Sequence, residues 1–201
     1  MTNEADFSTL GLSEQMLEAV RAKGFESPTS IQRLTIPRLL SGDNDIIAQS
    51  QTGTGKTAAF GLPILQQIEH STEGVQSIIL VPTRELAVQA AEELLSFNAG
   101  RRLSITAIYG GAAMGEQLRR LSRGVDIVVG TPGRVLDHIR RGTLKLDKVR
   151  FLVLDEADEM LNMGFVEDVE EIMSHTGEDR RVLLFSATMP ERIVRLSEAY
   201  M

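Results

Sequence analysis

The glycine-rich segment that ends in Gly55-Lys56-Thr57 constrains the fold of this chain more than any other feature. It follows the apolar run Ile46-Ile47-Ala48 and precedes a helix-like stretch that begins near Lys56. Glycines let backbone N–H groups wrap phosphate oxygens, while the lysine reaches the outer phosphates and the hydroxyl after it holds Mg²⁺. The start of the helix adds partial positive charge at the same place. The segment therefore predicts a strand, a nucleotide-phosphate loop and a helix in succession.

The candidate phosphate-binding residues form one continuous loop whose first member departs from the general pattern. The loop consists of Ser50, Gln51, Thr52, Gly53, Thr54, Gly55, Lys56 and Thr57. The general signature opens with glycine, whereas this loop opens with Ser50, which is small enough for the same turn. A glycine- and threonine-rich turn without a ligand is the alternative. The strand–loop–helix context favours the phosphate loop.

Apolar runs alternate with helix-like stretches along the chain. The strand-like runs are residues 46–48, 78–81, 105–109, 127–129, 151–154 and 182–185. The helix-like stretches are residues 13–22, 56–69, 83–97, 113–122, 132–141 and 165–174, with further ones from about Ser30 and from Pro190. Strands that are apolar at consecutive positions are typical of a parallel sheet covered on both faces. We predict an α/β fold, a doubly wound parallel sheet with helices on both faces, as a single domain over residues 1–201.

Two adjacent acids, Asp155 and Glu156, follow the apolar run 151–154. An acid at the end of a neighbouring strand is the usual second half of a phosphate-loop site. Asp155 would help to hold Mg²⁺, and Glu156 would be free to take a proton from a water that attacks the outer phosphate. A surface loop of acids is the alternative interpretation. Glycines, hydroxyls and charges also follow the other strand-like runs, at the sheet edge where open α/β folds bind ligands.

Composition excludes several classes of chemistry. The chain has no cysteine, which removes disulfides, cysteine-based zinc sites and thiol catalysis. Its net charge is −7, and ten acidic residues with no Lys or Arg lie between Asp155 and Asp179, so nucleic-acid contacts would have to be local. The N-terminus carries Glu4 and Asp6 without an apolar run, so we expect no signal peptide. With no membrane-length apolar segment either, we expect a cytoplasmic location and no membrane contact.

These segments resemble the N-terminal RecA-like domain of the DEAD-box ATP-dependent RNA helicases. Asp155-Glu156-Ala157-Asp158 is similar to the motif that names that family. Other segments resemble further family motifs in the family's order: residues 25–32 the adenine-reading Q motif, 49–57 motif I, 82–89 motif Ia, 110–111 the GG motif, 131–134 motif Ib and 186–188 motif III. The resemblance spans essentially the whole chain.

The resemblance implies that the nucleotide is ATP. In the family the residue at Gln32 hydrogen-bonds the adenine edge and the one at Phe25 stacks on the ring, with Thr29 in the same group of cofactor-binding residues. A glutamine amide donates and accepts together, as an adenine edge requires. Taken singly, Phe25 would be read as a core residue and Gln32 as a surface helix residue. The resemblance also assigns Mg²⁺ to Thr57 and Asp155.

The resemblance implies RNA contacts and a coupling element at the same edge. The family's RNA-backbone contacts correspond to Pro82, Thr83, Arg84, Gly110, Gly111, Thr131, Pro132, Gly133 and Arg134. Such contacts carry no base sequence, so we expect sequence-independent RNA binding. For Arg84 an ion pair with an acid of the same domain is an equal alternative. Ser186 and Thr188 resemble the motif that couples hydrolysis to strand separation, and we expect them to hydrogen-bond Asp158.

The resemblance further implies a second RecA-like domain in the same parent chain, which supplies arginine fingers. Residues 1–201 would be the N-terminal half of a two-domain helicase core, with an N-terminal helix and the Q motif inside residues 1–32. We therefore expect them alone to be a nearly inactive monomer. The parent would be an RNA-dependent ATPase that locally unwinds RNA duplexes. An ATP-gated RNA clamp or scaffold is one alternative, and a phosphate-loop ATPase that acts on DNA is another.

Overall fold

A computed structural model describes residues 6–71, 73–98 and 100–201 of the chain. Residues 1–5, which carry part of the argument about a signal peptide, lie outside the described residues. The described residues form six strands and nine α-helices. The strands are β1 Ile46–Gln49, β2 Ser77–Leu80, β3 Ile105–Ile108, β4 Ile127–Gly130, β5 Phe151–Leu154 and β6 Arg181–Ser186. The helices are α1 Glu14–Ala22, α2 Ser30–Ser41, α3 Lys56–Gln67, α4 Arg84–Ser96, α5 Met114–Ser122, α6 Pro132–Arg140, α7 Ala157–Asn162, α8 Val166–Ser174 and α9 Glu191–Tyr200.

The six strands form one sheet in the order β1-β6-β5-β2-β4-β3, and every neighbouring pair is parallel. Strands β2, β4 and β5 are buried along their whole length, as expected for strands with helices on both faces. This confirms the predicted doubly wound parallel sheet. All six strands point the same way, so the segments that follow their carboxyl ends lie along one edge.

Two hydrophobic clusters lie on opposite faces of the sheet. On one face α1 to α4 pack with side chains such as Phe60 and Phe185, whose ring centroids are 5.4 Å apart. On the other face α6 to α9 pack on side chains such as Leu152 and Leu184. In β5, for example, Phe151 and Val153 belong to the first cluster and Leu152 and Leu154 to the second, because successive strand side chains point to opposite faces. The sheet is thereby fixed as a rigid platform for the loops at its carboxyl edge.

The N-terminal segment packs against the first of these clusters. A short 3₁₀ helix, Phe7–Leu10, buries Phe7 and Leu10, and α1 begins after Ser13, whose hydroxyl accepts a hydrogen bond from the Met16 N–H at 3.4 Å. The predicted helix over residues 13–22 is therefore present with its cap. One helix was not predicted from the sequence: α7, which begins directly after the acids that follow β5. None of the described helices combines the length and the apolar character that a membrane crossing requires.

Candidate functional site

The glycine-rich loop lies between β1 and α3, at the carboxyl edge of the sheet. Gly53 and Gly55 adopt left-handed backbone with φ of +80° and +84°, a conformation that favours glycine. Gly55 is the N-cap of α3, and no side chain caps the helix start. The first N–H groups of α3 are therefore free to bind an anion, helped by the helix dipole.

Lys56 is the buried cation of the site and contacts both acids that follow β5. Its Nζ lies 3.3 Å from Asp155 Oδ1 and 3.9 Å from Glu156 Oε1, and the residue is 6% exposed. Burial raises the pKa of Asp155, Lys56 opposes that rise, and the neighbouring Glu156 adds to it. Thr52 of the loop and Glu156 of the acid pair are 104 positions apart in the sequence, yet both line one pocket.

Glu156 is the one described residue other than glycine with left-handed backbone, at φ 56° and ψ 49°. Its side chain accepts a hydrogen bond from the Thr52 hydroxyl at 3.0 Å, and its N–H donates to Asp155 Oδ1 at 3.0 Å. Strained backbone of this kind is held by its surroundings and is concentrated at functional sites. The conformation directs the Glu156 carboxylate toward the loop, while the Asp155 carboxylate faces Lys56.

The pocket beside the loop measures about 290 Å³ and contains groups suited to a hydrated Mg²⁺ ion. It is lined by the loop, by the acid pair and by one face of α4. Mg²⁺ prefers hard oxygen ligands and uses one or two carboxylates together with water and phosphate oxygens. The Thr57 hydroxyl and the Asp155 carboxylate both line the pocket and provide such oxygens. The residues present therefore fit the ion that the sequence predicts.

Gln32 is buried, so its interpretation as a surface helix residue is wrong. Its Oε1 accepts from the Thr29 N–H at 2.9 Å and its backbone N–H donates to the Thr29 hydroxyl at 3.5 Å, a capping box that begins α2. Its Nε2 donates to the Gly55 carbonyl at 3.1 Å. One amide hydrogen and one oxygen lone pair remain for a ligand. The predicted adenine reader is thus tied directly to the glycine-rich loop.

Phe25 packs between two other rings at the edge of the first hydrophobic cluster. Its centroid is 6.3 Å from that of Phe7 and 5.9 Å from that of Phe97, and the residue stays half-buried. The packing interpretation of Phe25 therefore holds in this structure. Stacking on an adenine ring stays a prediction.

The predicted contact between Asp158 and the segment after β6 is present. Asp158 Oδ2 accepts from the Thr188 hydroxyl at 2.8 Å and from the Thr188 N–H at 2.9 Å, while the Asp158 N–H donates to Ser186 Oγ at 3.1 Å. Burial works to raise the pKa of Asp158, but hydrogen bonds from Thr188 and Ser186 outweigh it and lower that pKa. The ionised carboxylate thus joins the start of α7 to the end of β6.

The predicted RNA-contact residues lie along the other half of the same edge, after β2, β3 and β4. Thr83 caps α4, since its hydroxyl accepts from the Leu86 N–H at 3.3 Å, and Pro82 before it is buried. Arg84 is exposed, with its guanidinium 5.1 Å from the centroid of the Tyr109 ring. Within the described part of the chain no carboxylate oxygen lies within 4 Å of a guanidinium nitrogen of Arg84. The alternative of an internal ion pair is therefore not observed.

Arg134 joins the start of α6 to the loop after β3. Its Nη1 donates to the Ala112 carbonyl at 3.1 Å and to Gln117 Oε1 at 3.2 Å. Thr131 is the N-cap of α6, and its side chain makes no cap bond. Pro132 occupies the first turn of α6, where its lack of an N–H costs no helix hydrogen bond. The exposed pair Gly110-Gly111 precedes Ala112, and Gly111 has φ +79° with open space around it. The structure therefore brings the second and third predicted RNA segments together.

Two groups in these regions were not found from the sequence. Gln117 is buried and accepts from Arg134 and from His138 Nε2 at 3.1 Å, while its own Nε2 donates to the Tyr109 carbonyl at 2.9 Å. Glu93 of α4 lines the pocket beside Thr57. Glu93 has a sequence signal, because it continues the helical face of Leu86 and Ala90, where an apolar residue would be expected. No comparable signal marks Gln117.

Comparison with known proteins agrees with this arrangement. A family model described as DEAD/DEAH box helicase matches residues 29–196. The chain is 51% identical over 196 residues to a probable ATP-dependent RNA helicase of Methanocaldococcus jannaschii, covering 98% of the chain and 53% of that protein. It is 53% identical over 195 residues to the ATP-dependent RNA helicase CshA of Listeria monocytogenes, covering 97% of the chain and 37% of that protein.

A solved structure shows the same fold. The crystal structure of a DEAD box protein from the hyperthermophile Methanococcus jannaschii superposes with a TM-score of 0.94 at 51% identity, covering 98% of this chain and 53% of that one. The chain thus spans about half, or less, of the length of the relatives it matches.

Proposed function

Because the chain belongs to the DEAD/DEAH box helicase family, we propose that it is the ATP-binding and catalytic half of an RNA-dependent ATPase that locally opens RNA duplexes. The observation that carries the proposal is the buried Lys56, which lies between Asp155 and Glu156 beside the uncapped start of α3. This arrangement offers a cation, free backbone N–H groups and two acids in one pocket. Those are the groups that phosphoryl transfer from a nucleotide requires.

The chain's own residues divide the chemistry among them. Lys56 would bind the β- and γ-phosphates, with the N–H groups of residues 53–57 around them. Thr57 and Asp155 would hold Mg²⁺, which when bound neutralises charge on the phosphate oxygens. Glu156 is the base in this proposal, because its carboxylate is fixed by Thr52 and lies farther from Lys56 than Asp155 does. It would take the proton of the attacking water, since Asp155 is committed to the metal.

Nucleotide selectivity would depend on Gln32, Phe25 and Thr29. The free hydrogen and lone pair of the Gln32 amide match the donor and acceptor of an adenine edge. The same amide donates to the Gly55 carbonyl. Binding of adenine to Gln32 would therefore act directly on the phosphate loop through this hydrogen bond.

RNA would bind along the edge formed by Pro82 to Arg84, Gly110-Gly111 and Thr131 to Arg134. The helix starts of α4 and α6 lie there and present N–H groups to backbone phosphates. Gly111 leaves room for close approach of a sugar–phosphate chain. Asp158, Ser186 and Thr188 would couple the nucleotide site to the neighbouring segments through the hydrogen bonds described above.

The complete activity would need a second RecA-like domain of the same parent chain, with the chain described here as one domain. An arginine finger from such a domain contributes about 10³–10⁵ in turnover. We therefore propose that residues 1–201 alone bind ATP, hydrolyse it very slowly and unwind nothing. Strong RNA-stimulated turnover by this chain alone would contradict that part of the proposal.

The test is steady-state ATP turnover by the protein that joins this chain to its second domain, with RNA, with DNA and with neither. Turnover that rises only with RNA, and that Glu156→Gln abolishes while nucleotide binding persists, is the expected result. Turnover that DNA drives, or that Glu156→Gln leaves intact, would refute the substrate class or the base assignment respectively. Fast turnover with duplex opening identifies an unwinder, whereas long-lived complexes with RNA and ATP identify a clamp.

A further inference from the structure

Tyr109 contacts one of the predicted RNA-contact segments and precedes another. It follows β3 and directly precedes Gly110-Gly111, and its ring is half-buried against the first hydrophobic cluster. The Arg84 guanidinium, from the segment after β2, lies 5.1 Å from the centroid of that ring. A cation over an aromatic face is attracted by the ring quadrupole. The ring thereby holds the exposed Arg84 without neutralising its charge, as a carboxylate would.

The backbone of Tyr109 is fixed by Gln117, a residue of α5 that is 5% exposed. Gln117 Nε2 donates to the Tyr109 carbonyl at 2.9 Å, and Gln117 Oε1 accepts from Arg134 Nη1 at 3.2 Å. Only one orientation of the amide allows both bonds, because a carbonyl can only accept and a guanidinium can only donate. His138 Nε2 lies 3.1 Å from the same oxygen and must therefore carry the hydrogen of that contact. The buried amide thus links the segments that follow β3 and β4 in one fixed arrangement.

We propose that Tyr109 and Gln117 are positioning residues for RNA binding, an inference that rests on the proposed RNA edge. Tyr109 would place Arg84, and Gln117 would place Arg134, so that both guanidinium groups face phosphates of one RNA strand. Arg134 uses Nη1 for the carbonyl of Ala112 and for Gln117, and its Nε and Nη2 could still donate to a phosphate. Side chains that are already held in position lose less conformational freedom on binding, which increases affinity.

A purely structural role would give a different result. The same contacts could simply join α4, α5 and α6 at the sheet edge, and their loss would then lower only the stability of the fold. Loss of a positioned arginine instead removes a phosphate contact, which lowers both the affinity for RNA and the dependence of that affinity on salt. For a single strand, each phosphate contact contributes about 0.7 to the slope of log K against log salt concentration. The salt slope therefore separates the two roles.

The experiment uses the protein that joins this chain to its second domain, with a fluorescently labelled oligouridine and a non-hydrolysable ATP analogue. Fluorescence anisotropy at a series of KCl concentrations gives the affinity and the slope. Tyr109→Leu should weaken binding by about 3–10-fold and reduce the slope by about 0.7, whereas Tyr109→Phe keeps the ring and should change neither. Gln117→Met, which is close to glutamine in volume, should weaken binding by about 10-fold or more and also reduce the slope. In an Arg84→Ala background, Tyr109→Leu should add no further loss, because Tyr109 acts through Arg84.

Gln66 supplies the matched control, in the last turn of α3 and away from the carboxyl edge of the sheet. Its Oε1 accepts from the Ser13 N–H at 2.8 Å, and its Nε2 donates to the Gly11 carbonyl at 3.3 Å. It is therefore also a glutamine whose amide links segments distant in the chain. Gln66→Met should lower the stability of the fold and leave both the RNA affinity and the salt slope unchanged.

An unchanged affinity or an unchanged salt slope in Tyr109→Leu or in Gln117→Met would overturn the assignment of that residue. A full further loss from Tyr109→Leu in the Arg84→Ala background would also overturn the role of Tyr109. If Gln117→Met does not fold, Gln117→Asn, whose amide is too short to reach both partners, replaces it with the same expected result. A wild-type protein that binds no oligouridine would instead refute the proposed RNA edge itself.

Discussion

Replacing Glu156 by glycine should stabilise the fold relative to replacing it by alanine. Glu156 has left-handed backbone, with φ 56° and ψ 49°. Both variants lose the same side-chain contacts, namely the hydrogen bond from Thr52 and the ion pair with Lys56. The difference between them therefore isolates the backbone conformation at this position.

The size of that difference follows from two opposing effects. A side chain with a Cβ in left-handed backbone raises the energy by about 1–2 kcal/mol, and glycine does not. Glycine also has more freedom in the unfolded chain, which offsets about 0.4–1 kcal/mol of the gain. We expect Glu156→Gly to be more stable than Glu156→Ala by about 1 kcal/mol, which for a domain of this size raises Tm by about 2–4 °C.

The assay is urea unfolding of both variants of residues 1–201, followed by far-ultraviolet circular dichroism. Glu159 supplies the matched control, because it is exposed and lies in the right-handed helix α7. There alanine should be more stable than glycine by about 0.5–1 kcal/mol, so the sign reverses. If glycine is no better than alanine at position 156, or if both positions show the same sign, the left-handed conformation carries no strain and the reasoning fails.

Three further predictions concern named side chains. Asp158→Asn should lower stability at pH 7 by about 1.5–3 kcal/mol. The pKa of Asp158 is lowered in the folded chain. Its contribution to the free energy of unfolding is therefore complete above the unfolded pKa of about 3.9 and is lost as pH falls through the folded pKa. Urea unfolding at a series of pH values would measure this loss. Burial, helped by the charge of Arg134, lowers the pKa of His138. Nuclear magnetic resonance should therefore find that its imidazole titrates below the unfolded value of about 6.5. The contribution of His138 to the free energy of unfolding is then complete above that pH and is lost as pH falls through the folded pKa. Gln32→Ala should lose the preference for ATP over GTP in competition binding, and unchanged selectivity would remove its adenine role.

The fold could be predicted from the sequence because its main signals are local. Each predicted apolar run is a strand in the structure, and its ends differ from the prediction by one residue or less. Strands that are buried on both faces are apolar at consecutive positions, which makes them easy to recognise in a sequence. Helix α7 was missed for a physical reason. Its N-cap is Glu156, whose side chain makes no cap bond, so the only start signal is the acid pair Asp158 and Glu159 in its first turn.

The contacts within the site were less predictable than its members. The sequence indicated the phosphate loop and the acid pair, because their residue types follow strands at one edge. It did not show that Gln32 is buried against Gly55, or that Arg134 reaches Ala112, since both contacts join segments distant in the chain. Contacts of this kind depend on the positions in which the helices pack against the sheet, and a single sequence does not specify those positions.

The charges of the pocket explain why its nucleotide should arrive with a metal ion. Asp155, Glu156 and Glu93 supply three carboxyl groups, and Lys56 is the cation that contacts the first two in the described structure. Burial raises the pKa of Asp155 although Lys56 opposes the rise, and it raises the pKa of Glu93 although Lys23 does, so a further cation would stabilise the ionised carboxylates. A free polyphosphate would add negative charge to this excess. A polyphosphate that carries Mg²⁺ would bring a cation to the acids and leave Lys56 free for phosphate oxygens, so the same carboxylates would favour a nucleotide bound together with its metal ion.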